Sequence, residues 1–161
     1  MRILAFESSA KAASVAILQD GALLGEYFQN SGQTHSRTLA KMAEDLLANC
    51  DLTVADIDAV AVAAGPGSFT GVRIGVAAAK GLAWARELPC YGVSTLEAMV
   101  RGAAMCDGVY CACMDARRAQ VYNAVFSVED GKLLRLSEDR ATSIEELGAE
   151  LKNLEKAIFL V

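Results

Sequence analysis

The residues of this chain that could do chemistry are few, and their spacing excludes more than it allows. The stretch Gly65 to Gly75 reads Gly-Pro-Gly-Ser-Phe-Thr-Gly-Val-Arg-Ile-Gly. Four glycines and a proline within it force a sharp turn and a close approach of the backbone to something else. An apolar run, Ile57 to Ala64, precedes the stretch and an alanine-rich helix follows, so the order is strand, glycine turn, helix. Free N–H groups at such a helix start can cradle a phosphate. The Walker A pattern is not met, because Val72-Arg73 stand where Gly-Lys-Ser/Thr would close the loop. A Ser/His/Asp triad can be drawn from Ser68 and His35, but Ser68 lacks the Gly-x-Ser-x-Gly elbow, and a lone histidine near a helix start reads better as a cap or contact residue. His35 is the only histidine, which leaves neither a His-rich metal centre nor a zincin pair, and no metal site is expected. Five cysteines, Cys50, Cys90, Cys106, Cys111 and Cys113, mostly sit in apolar context as reduced core thiols do. Cys111 and Cys113 share a face of a predicted strand, but no second pair or Cys/His cluster completes a zinc site.

The elements that must position these residues are legible from turns and periodicity. Arg2 to Phe6 reads as a buried strand leading into the polar turn Glu7-Ser8-Ser9. Ala13 to Gln19 and Ala22 to Gln29 are strands joined at Asp20-Gly21, a hairpin signal. Thr34 is placed to cap a helix on which Leu39, Met42, Ala43, Leu46, Leu47 and Cys50 recur at helical spacing. Thr53 to Asp56 resembles a capping box ahead of the strand Ile57 to Ala64. The next helix, Gly71 to Arg86, carries Gly71, Gly75 and Ala79 every fourth residue, a smooth stripe that lets another backbone come close. Apolar residues run most of the way round it, more than one buried face requires, so a second face is available to another chain. Cys90 to Val93 is a short strand, and Ser94 with Glu97 opens a helix to about Met105.

From Gly108 the pattern restarts: a strand Val109 to Met114, a strand Gln120 to Val128, an Asp130-Gly131 turn into Leu133 to Leu136, a helix from Ser143 and an apolar run Ala157 to Val161. The two Asp-Gly turns lie about 110 residues apart, so three strands, helix, strand occurs twice. The expected organisation is an N-terminal lobe over residues 1–106 and a partial second lobe over 107–161. A full second copy would need about 50 to 60 residues more. Of the 161 residues 53% are hydrophobic, ample for a core, and the net charge of −5 disfavours direct nucleic-acid binding. The first residues are too short an apolar stretch for a signal peptide, and no run approaches the roughly 20 apolar residues of a membrane span. A cytoplasmic protein without a membrane partner is expected.

Two such lobes with Glu-Ser-Ser after the first strand resemble the actin-like ATPase superfamily (ASKHA, ribonuclease H-like), an α/β two-lobe fold, here with the second lobe truncated. Within it the chain resembles the TsaB (YeaZ) family. Ile3 to Ser9 (ILAFESS), Ala13 to Ile17 (ASVAI), His35-Ser36, Gly65 to Gly75, Ala79 to Ala83 (AKGLA), Gly92 to Leu96 (GVSTL) and Met114 to Arg117 (MDAR) followed by Val121-Tyr122 carry the likeness, and the glycine stretch is its specific part. Glu7 stands where the family more often has Asp, and Lys41 where Pro is common.

The resemblance implies a non-catalytic subunit that pairs with TsaD, a paralogue, and with the ATPase TsaE in making threonylcarbamoyladenosine next to the tRNA anticodon. It also implies homodimers, tRNA met only through the complex, and no cofactor on this chain, with ATP and metal on the partners. The helices corresponding to Thr34–Asn49 and Gly71–Arg86 form a bundle with the partner in that family. The expected contact residues are His35, Leu39, Met42 and Leu46 on the first helix and Val72, Arg73, Gly75, Val76 and Ala79 on the second. Glu7, Ser8, Asp115 and Arg117 lie where actin-like ATPases hold phosphate and Mg²⁺. They read either as a vestigial nucleotide cleft or, preferably, as polar strand-end networks. The alternative function is an ATP-binding phosphotransferase or ATPase of the same superfold, with peptidase only an inherited label.

Overall fold

The computed structural model describes residues 1–154 and 157–161. Its contacts group into two units, Met1–Val93 and Ser94–Val161.

In the first unit β1 (Arg2–Glu7), β2 (Ala13–Gln19), β3 (Ala22–Gln29), β4 (Ala59–Gly65) and β5 (Cys90–Ser94) form a sheet in the order β3-β2-β1-β4-β5. β1 runs antiparallel to β2 and parallel to β4, with Leu4 opposite Ile17 and Val60 and Phe6 opposite Val15 and Val62. Residues opposite one another share a face, so these six make one apolar surface. Two helices cover it: α1 (His35–Asn49) through Leu39, Met42, Ala43, Leu46 and Leu47, and α2 (Phe69–Ala85) through Gly71, Gly75, Ala79 and Ala83. The β2–β3 hairpin turns at Asp20 and Gly21, both at positive φ, as an Asp-Gly turn requires. The capping box is present, with Thr53 and Asp56 exchanging backbone N–H groups around a single 3₁₀ turn, Val54–Asp56. Thr34 does stand at the N-cap of α1, but its side chain makes no capping bond.

The second unit holds α3 (Thr95–Ala103), β6 (Gly108–Arg117), β7 (Gln120–Glu129), β8 (Lys132–Arg135), β9 (Arg140–Ser143), α4 (Ile144–Lys152) and β10 (Ile158–Leu160). The sheet order is β10-β6-β7-β8, and β9 also pairs with β7. β9 lines Gln120 to Asn123 of β7 and β8 lines Phe126 to Glu129, so the two are one edge strand interrupted between them. Sequence reading missed β9 because Arg-Ala-Thr-Ser has no apolar alternation; side-chain bonds anchor it instead. Buried Asn123 donates to Thr142 Oγ1 at 2.8 Å and accepts from Arg140 Nε at 3.1 Å.

One face of this sheet, with Tyr110, Ala112, Ala124, Phe126 and Val128, packs on Leu96 and Val100 of α3. The other, with Val109, Cys111 and Val125, packs on Leu147 of α4. α3 therefore belongs with the second unit, whereas the 1–106 division had grouped it with the first. An ion network fastens it: Arg101 donates to Glu97 at 2.9 Å, and Arg135 of β8 donates to Glu97 at 3.1 Å and to Asp139 at 2.6 Å. No helix among the described residues is long and apolar enough to cross a membrane.

Partial burial pushes the Glu97 carboxyl up, but the two guanidinium groups outweigh it and hold the pKa below the ordinary value. A depressed carboxylate stabilises the fold above its unfolded pKa, and that contribution is lost as pH falls through the folded value. Glu97→Gln should thus cost about 1 kcal/mol at pH 7. In chemical denaturation the gap from wild type should close below about pH 4; a pH-independent gap would mean that the charge is not what fastens α3.

Candidate functional site

The glycine stretch is built onto the end of β1. Ser68 N donates to Ser9 O at 2.6 Å, and Ser8 Oγ donates to Gly71 O at 2.9 Å. Ser68 itself caps α2, its hydroxyl accepting from Gly71 N at 3.2 Å, so the only serine of the stretch is spent on the helix start. Glycine is required here by contact: a Cβ on Gly71 would lie 2.1 Å from Ser8 O, and one on Gly75 2.3 Å from Ser8 Oγ. Ser8 and Ser9 are buried, and the Glu7 carboxylate accepts the N–H of Ser9. The loop thus clamps α2 to β1, with its polar atoms bonded inward.

This clamp fixes which way the first stripe of α2 turns. Gly75 and Ala79, read as meeting another chain, face the chain's own sheet, as do Leu39, Met42 and Leu46. Val72 and Val76 are half-buried. Arg73 is exposed and stacks 3.6 Å over the Phe69 ring, and the Nε2 of half-buried His35 lies 3.0 Å from Ala10 O. Helical spacing shows that these residues share faces but not which face turns inward.

The outer surface lies one step round. Between α1 and α2 runs an apolar cavity of about 710 Å³. Its floor includes Leu4, Phe6, Leu47 and Leu82, and its walls Ala40, Glu44 and Ala48 of α1 with Ala77, Gly81 and Ala85 of α2. α2 therefore carries two smooth stripes, the inner one at Gly71, Gly75, Ala79 and Ala83 and an outer one at Ala77, Gly81 and Ala85. The outer stripe has the same four-residue spacing and was the signal that sequence reading passed over. A Cβ on Gly81 would meet nothing within 4 Å, so the groove is open at that point.

In the second unit Asp115 Oδ1 accepts from Arg117 N at 2.7 Å. Arg117, Arg118 and Ala119 all have positive φ and form the tight β6–β7 turn. Asp115 and Glu7 thus do the same local job, each carboxylate holding the N–H two residues on. On β6 the Cys111 and Cys113 sulfurs lie 3.6 Å apart; their mutual bond lowers the Cys113 thiol to about 7, while the same bond and burial raise that of Cys111. Among the described residues no three His, Cys, Asp or Glu side chains converge as metal ligands would.

The family profile "TsaD: tRNA N6-adenosine threonylcarbamoyltransferase" matches residues 25–157. Over its full length the chain is 33% identical to a Bacillus subtilis protein named tRNA threonylcarbamoyladenosine biosynthesis protein TsaB, and spans 70% of it. The chain belongs to the TsaB family. An Escherichia coli TsaB is 38% identical over 91% of this chain and 64% of its own length. The solved structure of YeaZ from Pseudomonas aeruginosa superposes with a TM-score of 0.82 at 30% identity, over 89% of this chain and 68% of that one. The fold is the actin-like ATPase fold of that family, as its strand order and α/β layering lead one to expect.

The two stripes of α2 make a direct comparison. Gly71→Ala should destabilise by about 2 kcal/mol through overpacking against Ser8, lowering the melting temperature by about 5 °C. Gly81→Ala, in open space, should leave melting unchanged or raise it slightly. Equal melting curves for the two variants in circular dichroism would refute the assignment of inner and outer stripes.

Proposed function

We propose that this chain is the non-catalytic, partner-binding subunit of tRNA threonylcarbamoyladenosine biosynthesis, docking TsaD on the α1–α2 groove and supporting turnover together with TsaE. Alone it forms a homodimer through the same groove. It meets tRNA only through the complex, works in the cytoplasm, and carries no cofactor of its own, ATP and metal residing on the partners. The observation that carries this reading is the groove itself. It is an exposed, largely apolar trough between two helices, with small side chains on both walls and large apolar ones at its floor. Small walls let a partner helix approach until its side chains reach the half-buried Leu52, Val54 and Leu82, where further burial contributes about 25 cal/mol per Å² of apolar surface. A trough of this kind is costly to leave in water and marks an interaction surface. The family membership supplies the occupant, because the TsaD profile and the TsaB relatives concern one tRNA modification.

The polar groups that a nucleotide would need are committed locally, Ser8 to Gly71 O, Glu7 to Ser9 N and Asp115 to Arg117 N. This favours the partner-binding role over the phosphotransferase or ATPase alternative.

Light scattering after gel filtration separates the outcomes. The chain alone should run as a dimer, and with its organism's TsaD it should exchange into a one-to-one complex. Gly81→Glu plants a charge on the groove wall without touching the core; it should weaken both assemblies at least about tenfold with melting unchanged. A monomer indifferent to TsaD, or full binding by Gly81→Glu, would overturn the docking assignment. Micromolar binding of Mg-ATP in calorimetric titration would return the nucleotide alternative.

A further inference from the structure

Outside the groove and the glycine clamp, the feature that neither explains is the thiol pair on β6. Cys111 and Cys113 are two apart on one strand, so their side chains project from the same face, and their sulfurs stand 3.6 Å apart. Cys111 is fully buried in the cluster of Val109, Val125 and Leu147 beneath α4, while Cys113 is half-buried at its edge. One sulfur is thus reachable and the other is sheltered directly behind it, the arrangement of an attacking and a resolving thiol. Packing alone does not call for it, since alanine or valine at either position would fill the same face. The remaining cysteines have no sulfur partner among the described residues.

We propose that Cys111 and Cys113 are a dithiol site that a hydroperoxide oxidises to an intramolecular disulfide. The Cys113 thiolate sulfur attacks one peroxide oxygen and the O–O bond breaks. The departing hydroxide takes a proton to become water, and Cys113 is left as the sulfenic acid. The Cys111 sulfur, giving up its proton, then attacks the Cys113 sulfur; the S–O bond breaks, the S–S bond forms and a second water leaves. Two thiols are oxidised and one peroxide is reduced, with no other reactant, and a small dithiol reductant restores the pair.

Closure must draw the sulfurs together by about 1.5 Å to reach the bonded distance. Cys111 and Cys113 are held on one side by β7, opposite Val125 and Asn123 in a long ladder, and on the other by Val161, whose N donates to Cys111 O at 3.0 Å and whose O accepts from Cys113 N at 2.8 Å. The three-residue β6–β10 ladder is the shorter and gives first. Oxidation therefore loosens β10 from β6.

The test treats the chain with equimolar hydrogen peroxide, alkylates the remaining thiols and digests with trypsin. The peptide Gly102–Arg117 carries Cys106, Cys111 and Cys113. It should lose two hydrogens between Cys111 and Cys113 with Cys106 still alkylated, about tenfold faster than Cys50 or Cys90 reacts. Amide exchange at Val161 should rise in the oxidised form and return on reduction. Cys106→Ser, at an exposed site, should leave the disulfide intact, and Cys111→Ser should leave Cys113 as a sulfenic acid that dimedone traps. A pair that stays fully alkylatable while Cys106 is oxidised, or a disulfide that vanishes in Cys106→Ser, would overturn the proposal.

Discussion

The contact on which the first unit depends is the approach of α2 to the end of β1, where Gly71 and Gly75 meet Ser8. Backbone and hydroxyl come within distances that exclude any Cβ, and each polar atom buried there has a partner. A buried hydroxyl left without one would cost about 1 to 3 kcal/mol; paired, the serine fixes the helix in translation along the strand. Leu and Val side chains cannot do this, since apolar packing tolerates sliding. The clamp decides where α2 begins, how close it lies to the sheet, and so how deep the trough beside it is.

That depth gives α2 its unusual composition. A helix lying on a sheet needs one apolar stripe, and a helix that also walls a groove needs two. α2 has both, and each is made of small residues for a different reason. The inner stripe is small because the sheet is too close for anything larger. The outer stripe is small where it walls the trough between α1 and α2, with the buried Phe6 and Leu47 beneath it. α1 contributes alanines on its side of the groove while its Lys41, Glu44 and Asp45 form an ion network, so the polar edge of the trough sits on α1.

Most of the fold was legible because it is written locally. The two Asp-Gly turns, the Thr53–Asp56 box and the Ser143 cap act over four residues, and β2 and β3 fall at the boundaries that the turn dictates. What was not legible is written at long range. The inward direction of the α2 stripe depends on Ser8, some 60 residues away, and β9 depends on Asn123 and Arg140 rather than on alternation. α3 follows β5 directly in sequence, yet its apolar face matches Tyr110, Ala112 and Phe126, and no periodicity in Thr95 to Ala103 names that partner. The direction of α1 was not legible for the same reason: Leu39, Met42 and Leu46 were seen as one face, but a helix with two apolar faces does not say which one is the core.

The two units treat their strand-end carboxylates alike. Each sets a carboxylate at the end of its first strand, Glu7 in one and Asp115 in the other, and each carboxylate holds the backbone N–H two residues further on. In both places the acid shapes a turn, and in the first unit the adjoining serine is buried against a helix. A carboxylate satisfied by a neighbouring N–H is a poorer ligand for a cation or a phosphate-bound metal, because that bond must be given up first. Such a strand end therefore has a folding reason for its residue types that is independent of any ligand. The side chains free of such local bonds lie elsewhere, on the outer stripe of α2 and the facing alanines of α1. Residues of the recognisable motif and residues of the open groove are consequently different sets, joined by one helix that uses its inner stripe for the first and its outer stripe for the second.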